Sequence, residues 1–311
     1  MEIIRKEFSV PSKSGITNVF ARCWSPADEE VKAVFQISHG MAEHGERYED
    51  FAKYLCSKGF AVLVNDHIGH GKSVNSDDDL GYFGENKGWD AFVEDERTLT
   101  ELILNEYPGL PLIFFGHSMG SFIAREYIRR YGRDPRISAA VFCGTSGTNP
   151  ASSIAIGIAE TVAKIKGSKH RSNLINKIAF APYNAKTEKK TAFDWLSNDT
   201  KQVDKYIADK YCGFLFTAAG YKDLFTVLTR VSGKDWYTEM PDNLPLLVVS
   251  GEADPVGAYG KGIKQVYNDL IKSGKKDVTM KLYPGMRHEI LNEINNSIVY
   301  DDIATWAISK I

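Results

Sequence analysis

The pentapeptide Gly116-His117-Ser118-Met119-Gly120 is the feature that most constrains this chain. It follows the apolar run Leu112 to Phe115 and precedes a segment, 121–131, whose apolar residues recur at helical spacing. A G-x-S-x-G motif between a strand and a helix forms a sharp turn that exposes the serine hydroxyl from a strained backbone position. The sequence therefore predicts that Ser118 is a nucleophile rather than an ordinary turn residue.

Short apolar runs alternate with helical patterns along most of the chain. This alternation predicts an α/β fold, with a mostly parallel sheet covered by helices on both faces. Two segments with period-two alternation open the chain as a predicted hairpin, near 3–10 and 17–24. Further strands are predicted at 33–37, 61–64, 112–115, 137–142, 246–249 and 278–282. Helices are predicted at 48–55, 89–104, 122–131, 262–271 and 298–308.

The stretch from Thr145 to Met240 breaks this alternation, because it contains no convincing central strand. Helices are predicted in it at 152–166, 201–210 and 214–231. A structureless loop of this length is implausible in a compact domain. We therefore expect residues 1–144 and 241–311 to form the core and residues 145–240 to form an inserted helical cap. The cap should cover the carboxyl ends of the strands, where open α/β sheets bind ligands.

Composition and charge exclude several classes of protein. The 311 residues carry a net charge of −2 and no long basic run, so no nucleic-acid partner is expected. No apolar run is long enough to span a bilayer, and the first residues lack the pattern of a signal peptide. The four cysteines are scattered, which predicts a cytoplasmic protein with reduced thiols. The spacing of His67 and His70 is not that of a zinc helix, so neither a metal nor a cofactor is predicted.

Two residues beyond the predicted cap could complete a site around Ser118. Asp254 follows the predicted strand 246–249, and His288 follows the predicted strand 278–282. Either residue alone would be an ordinary loop residue, but together they follow the order serine, acid, histidine of α/β serine hydrolases. The sequence therefore predicts a catalytic triad of Ser118, Asp254 and His288. The neighbouring acids are less suitable: Glu252 lies closer to its strand, and Glu289 is expected to cap or to face solvent.

Acyl transfer also needs hydrogen-bond donors for the oxyanion. One predicted donor is the backbone N–H of Met119, directly after the nucleophile, and the other is that of Met41 in the loop 38–45. Loss of one such donor typically costs roughly 3 kcal/mol of transition-state stabilisation. Local hydrogen bonds of His39-Gly40 and Glu43-His44 are predicted to shape this loop.

These motifs together resemble the monoacylglycerol lipase and lysophospholipase family of serine α/β-hydrolases. The resemblance implies the α/β-hydrolase fold and hydrolysis of a lipid-like monoester by Ser118, Asp254 and His288, with Met41 and Met119 as oxyanion donors. It rests on His39-Gly40-Met41-Ala42-Glu43-His44, Arg47-Tyr48, the segment 65–73, the segment 116–120, Gly251-Glu252-Ala253-Asp254 and His288. Gly257 and Leu291 stand where mammalian members of the family carry a cysteine and a histidine, so a bacterial-type relative is expected.

Two other functions stay open at this point. A serine aminopeptidase of the same fold would need an acidic group in the cap to bind the amine of its substrate. The candidate acids are Glu160, Glu188, Asp194 and Asp223. The second alternative is a ligand-binding protein whose catalysis has lapsed, and no protein partner is implied by either.

The first predicted cap helix has an apolar face formed by Ile154, Ile158, Val162 and Ile165. The favoured interpretation is that this face lines an acyl pocket or packs on the sheet. The alternative is a weak contact with a membrane surface, because lysines and an arginine surround the end of the helix.

Overall fold

The computed structural model describes residues 2–233 and 235–311. Its strands are β1 Ile3–Pro11, β2 Asn18–Pro26, β3 Ala33–Ser38, β4 Phe60–Asn65, β5 Leu112–His117, β6 Ile137–Cys143, β7 Leu246–Gly251 and β8 Val278–Tyr283. They form one sheet in the order β1-β2-β4-β3-β5-β6-β7-β8. β2 pairs antiparallel with β1 and β4, and all pairs from β4 to β8 are parallel. Each of these strands lies where the sequence predicts one, and the α/β class is confirmed.

Helices cover both faces of the sheet. The helices of the core are α1 Glu49–Cys56, α2 Gly88–Glu106, α3 Met119–Tyr131, α8 Lys261–Lys272 and α9 Asn296–Ile308. Phe35 and Phe115 pack with residues of α1 and α9 on one face, whereas Val34 and Phe114 pack with residues of α2 and α3 on the other. Because the central strands are buried on both faces, their sequences are continuous apolar runs rather than alternating ones.

Residues 145–240 contain α4 Ala151–Lys166, α5 Asn173–Phe180, α6 Thr200–Ala208 and α7 Ala218–Ser232. The sequence did not predict α5, and it placed the start of α7 too early. Thr217 sets that start, because its side chain accepts a hydrogen bond from the N–H of Gly220 over 3.1 Å. Helix α7 packs against α4 and also against α3 of the core. The division at residues 145 and 240 stays our proposal for the cap boundaries.

Among the residues that the structure describes, no helix combines the length and the apolar character needed to cross a membrane.

Candidate active site

Ser118 lies at the turn between β5 and α3 with a left-handed backbone, at φ 53° and ψ −119°. A Cβ atom on Gly120 would lie 2.0 Å from the carbonyl oxygen of Ser38, and one on Gly116 would lie 2.1 Å from that of Gly120. Only glycine fits at these two positions. The N–H of Ser118 donates to the carbonyl oxygen of Cys143 over 2.9 Å, which ties the turn to β6. The motif thus forms the strained strand-to-helix turn that exposes a serine side chain.

Asp254 and His288 form a hydrogen-bonded pair beyond the carboxyl ends of β7 and β8. His288 Nδ1 lies 3.0 Å from Asp254 Oδ2, which also accepts from Ser250 Oγ over 2.8 Å. Asp254 Oδ1 accepts from the N–H of Val256 over 2.8 Å, and the Asp254 side chain is fully buried. His288 Nε2 is buried without a hydrogen-bond partner within residues 2–233 and 235–311. A histidine whose Nδ1 proton is held by a carboxylate presents Nε2 as a base.

Four of the five predicted site residues line one cavity of about 680 Å³, namely Met41, Ser118, Met119 and His288. Asp254 lies outside the lining and reaches the cavity only through His288. Met119 is the first residue of α3, so its N–H has no partner within the helix. Ser118 Oγ and His288 Nε2 share no hydrogen bond, as is common before substrate tightens a catalytic site.

Glu43 organises the loop that carries Met41. Its Oε1 accepts the N–H of Gly40 over 2.6 Å and the hydroxyl of Tyr48 over 2.9 Å, while Oε2 pairs with Arg47 at 2.5 Å. The same loop passes so close to the nucleophile that a Cβ atom on Gly40 would lie 3.2 Å from Ser118 Cβ. The carboxylate of Glu43 therefore holds the loop in place beside the serine.

The guanidinium of Arg47, whose side chain is 12% exposed, balances the charges below this loop. Arg47 donates to both oxygens of Glu289 over 2.7 Å, in addition to its bond with Glu43. Burial would raise the pKa of Glu43, but Arg47 and His117 hold that pKa well below its usual range. Burial would also raise the pKa of Glu289, but the charge of Arg47 outweighs this effect and lowers that pKa. At His117 burial lowers the pKa, yet the bond with Glu43 leaves it above its ordinary value.

Glu289 does not face solvent, and although it stands at the N-cap position of the 3-10 helix Ile290–Asn292, its side chain makes no capping hydrogen bond. Its side chain is 5% exposed, lines the cavity and pairs with Arg47. The partner lies 242 residues away in the chain, so the residues around Glu289 contain no sign of it. The spacing of Glu43 and Arg47, four residues apart, is the one signal that could have identified part of this network.

Replacing Arg47 with methionine should lower the free energy of unfolding by about 3–5 kcal/mol, because Glu43 and Glu289 would lose their shared cation in a buried site. Urea denaturation at pH 7 measures the loss. The difference from wild type should shrink as the pH falls, beginning above the ordinary carboxyl pKa of about 4.3, because without Arg47 burial raises the pKa of Glu43 and Glu289 and protonation removes their charge. Lys53→Met removes an exposed ion pair with Glu49 and should leave stability nearly unchanged. Equal losses in the two variants would contradict a stabilising role for the buried network.

Comparisons with known proteins identify the family of this chain. A family model described as "Serine aminopeptidase, S33" matches residues 29–295. The chain is 30% identical over 317 residues to the monoacylglycerol lipase of Mycolicibacterium smegmatis, across 99% of this chain and 98% of that protein. The chain belongs to the serine α/β-hydrolase family that includes the monoacylglycerol lipases. It is a serine ester hydrolase, and the resemblance drawn from its motifs is confirmed.

Other members of this family align over most of their length. The human monoglyceride lipase is 30% identical over 306 residues, which cover 94% of this chain and 87% of that protein. The crystal structure of a thermostable carboxyl esterase from Bacillus coagulans superposes with a TM-score of 0.91 at 31% identity, covering 98% of both chains. A soluble variant of the Saccharomyces cerevisiae monoglyceride lipase, solved with a substrate analog, has a TM-score of 0.77 at 19% identity. It covers 94% of this chain and 92% of its own, and shares the fold.

Proposed function

We propose that this hydrolase cleaves monoacylglycerols, or closely similar lipid-like monoesters such as lysophospholipids, through an acyl-enzyme on Ser118. The observation that carries the proposal is the single cavity that joins Ser118 and His288 to an apolar wall contributed by the cap. The names of the Mycolicibacterium and human relatives support the same substrate class.

In the proposed mechanism each site residue has a defined role. His288 Nε2 takes the proton of Ser118 Oγ as the oxygen attacks the ester carbonyl, and Asp254 stabilises the imidazolium that forms. The N–H groups of Met41 and Met119 bind the oxyanion. His288 then returns the proton to the departing alcohol, and afterwards it activates the water that hydrolyses the acyl-enzyme.

The cap supplies an apolar surface for the acyl chain. Ile158 of α4, Ile175 of α5 and Phe225 of α7 all line the cavity. The volume of about 680 Å³ lies within the usual range for small-molecule sites. Each methylene buried there contributes about 0.8 kcal/mol, which corresponds to roughly fourfold in binding. Acyl-chain length should therefore control kcat/KM until the cavity is filled.

The aminopeptidase alternative finds no support in the cavity. None of the four cap acids named for it, Glu160, Glu188, Asp194 and Asp223, lines the cavity. The acids that do line it, Glu43 and Glu289, are both paired with Arg47. Within the described residues no free carboxylate is placed to bind a substrate ammonium group, so we favour ester hydrolysis.

A substrate series tests the proposal. We expect kcat/KM on monoacylglycerols to rise by up to about fourfold per added methylene and then to level off, with no turnover of aminoacyl naphthylamides. Lysophospholipids measured in parallel decide between the two head-group classes. A fluorophosphonate probe should label wild type stoichiometrically and leave Ser118→Ala unlabelled. Faster turnover of aminoacyl amides than of esters, or labelling of the alanine variant, would overturn the proposal.

We further propose that the cap contacts a lipid surface when the enzyme takes up substrate. Ile154 and Ile178 line the cavity and are also exposed, and Ile165 and Leu174 are exposed on the same two helices, α4 and α5. The exposed apolar residues meet the cavity at Ile154 and Ile178, and Lys164 and Lys166 at the end of α4 suit anionic lipid.

Flotation with vesicles that contain anionic lipid tests the lipid contact. Ile165→Ser combined with Leu174→Ser should reduce the floated fraction. Ile271→Ser removes an isoleucine exposed on α8 of the core and should have no effect. Failure of the wild-type protein to float would refute the contact. We also propose a cytoplasmic location, which the four buried and unpaired cysteines favour.

A further inference from the structure

A short segment of the cap, residues 194–198, runs beside the loop that carries His288. The N–H of His288 lies 3.4 Å from the carbonyl oxygen of Trp195, and the N–H of Glu289 donates to Leu196 over 2.7 Å. Arg287 Nη1 donates to the carbonyl oxygen of Asp194 over 2.8 Å. Main-chain contacts therefore hold Trp195 in a defined position relative to His288.

The indole ring of Trp195 lies against the imidazole ring of His288. The ring centroids are 5.1 Å apart with an angle of 40° between the planes. The ring of His117 contacts the same imidazole, at 4.7 Å and 42°. Trp195, itself a residue of the cap, also lines the cavity. The aromatic contact is thus made at the site where a proton moves in the proposed mechanism.

The effect of this aromatic contact depends on the charged groups that surround His288. When His288 accepts the serine proton, Asp254 supplies the opposing negative charge. Glu43 raises the pKa of His117 despite burial, so this second imidazole adds no negative charge beside His288. Glu43 and Glu289 are already paired with Arg47. Tyr183 is a cavity residue whose pKa is raised by burial, so it stays neutral. The negative face of an indole attracts a cation without adding a charge.

We propose that Trp195 is a positioning residue that stabilises the imidazolium form of His288 during acyl transfer. The cap thereby takes part in catalysis as well as in substrate selection. This inference rests on the proposed function, in which His288 is the base. An aromatic ring at this place stabilises the imidazolium that forms when His288 accepts the proton of Ser118.

Replacing Trp195 with leucine should lower kcat about threefold, which lies within the usual range for one cation–π contact and corresponds to about half a pKa unit. The acid limb of kcat/KM against pH should move down by roughly half a pH unit, because the protonated imidazole loses a stabilising partner. Trp195→Phe keeps an aromatic ring. Its loss in log kcat and its shift of the acid limb should each be less than half of those in Trp195→Leu. Phe193 also lines the cavity but packs against Tyr206, with the rings tilted by 57°, so Phe193→Leu should leave the acid limb unchanged.

An NMR titration tests the inference without turnover. The imidazole signal of His288, assigned with a His288→Gln variant, should titrate about half a pH unit lower in Trp195→Leu than in wild type. An unchanged or higher midpoint in Trp195→Leu, or an equal shift in Phe193→Leu, would overturn the role of Trp195. Failure of the proposed function would be seen separately, as a wild-type protein that the fluorophosphonate probe does not label.

Discussion

Replacing Ser118 with alanine should lower kcat on a monoester by roughly 10⁶-fold without changing the fold. The loss is this large because the acyl-enzyme cannot form and the other site residues have no oxygen to activate. The turn itself should persist, since the steric demands at Gly116 and Gly120 are met by the glycines and not by the serine side chain. Initial rates at saturating substrate measure the effect, and circular dichroism and thermal melting check the fold.

Ser146 offers a matched control for this variant, because it is a second serine on the wall of the same cavity. Ser146→Ala should stay within about tenfold of wild type, since its hydroxyl donates to the carbonyl oxygen of Gly147 and contacts no base among the described residues. If Ser118→Ala retained more than about one part in 10³ of the activity, the nucleophile would have to be another residue.

Replacing Asp254 with asparagine should lower kcat by roughly 10⁴-fold while the site keeps its shape. The carboxylate of Asp254 holds the proton of His288 on Nδ1 and leaves Nε2 free. An asparagine amide would donate to Nδ1 instead, so Nε2 would carry the proton and could not accept one from Ser118. Substrate binding does not depend on this proton, and the loss should be in kcat more than in KM.

Glu252 is the matched control for Asp254, because it is the other acid of the same loop and its side chain faces solvent. Glu252→Gln should change kcat by less than about threefold. If kcat fell more in Glu252→Gln than in Asp254→Asn, Glu252 rather than Asp254 would be the acid of the triad. Rates measured across the pH range would separate a changed tautomer from a changed fold.

The core of the fold could be predicted from local patterns. The strands β3 to β7 are buried on both faces, so each is a short continuous apolar run between turn residues. The turn at Ser118 was predictable for a steric reason, because backbone atoms leave no space for a Cβ at Gly116 or Gly120. Helix α5 was missed because Ile175 is its one buried residue, and a half-exposed helix in a cap shows a weaker pattern than a core helix.

The surroundings of the site could not be predicted in this way. Trp195 and His288 lie 93 positions apart in the chain, and nothing near either residue indicates that their rings meet. The same is true of Arg47 and Glu289. Glu289 was expected to be exposed, but it is buried and pairs with Arg47. Such contacts depend on how the cap and the loops after the strands pack together. A small difference in that packing would change the balance of charges around the site while leaving every local motif intact.

The sequence by itself therefore determined the architecture, the family and the order of the candidate reacting groups, because each depends on short-range geometry of strand, turn and helix. Ser118, Asp254 and His288 are candidates for that reason alone. Only the tertiary structure decided what surrounds them, since electrostatic and aromatic interactions act through space between distant segments. The pairing of Glu43 and Glu289 with Arg47, and the indole of Trp195 against His288, come from that packing.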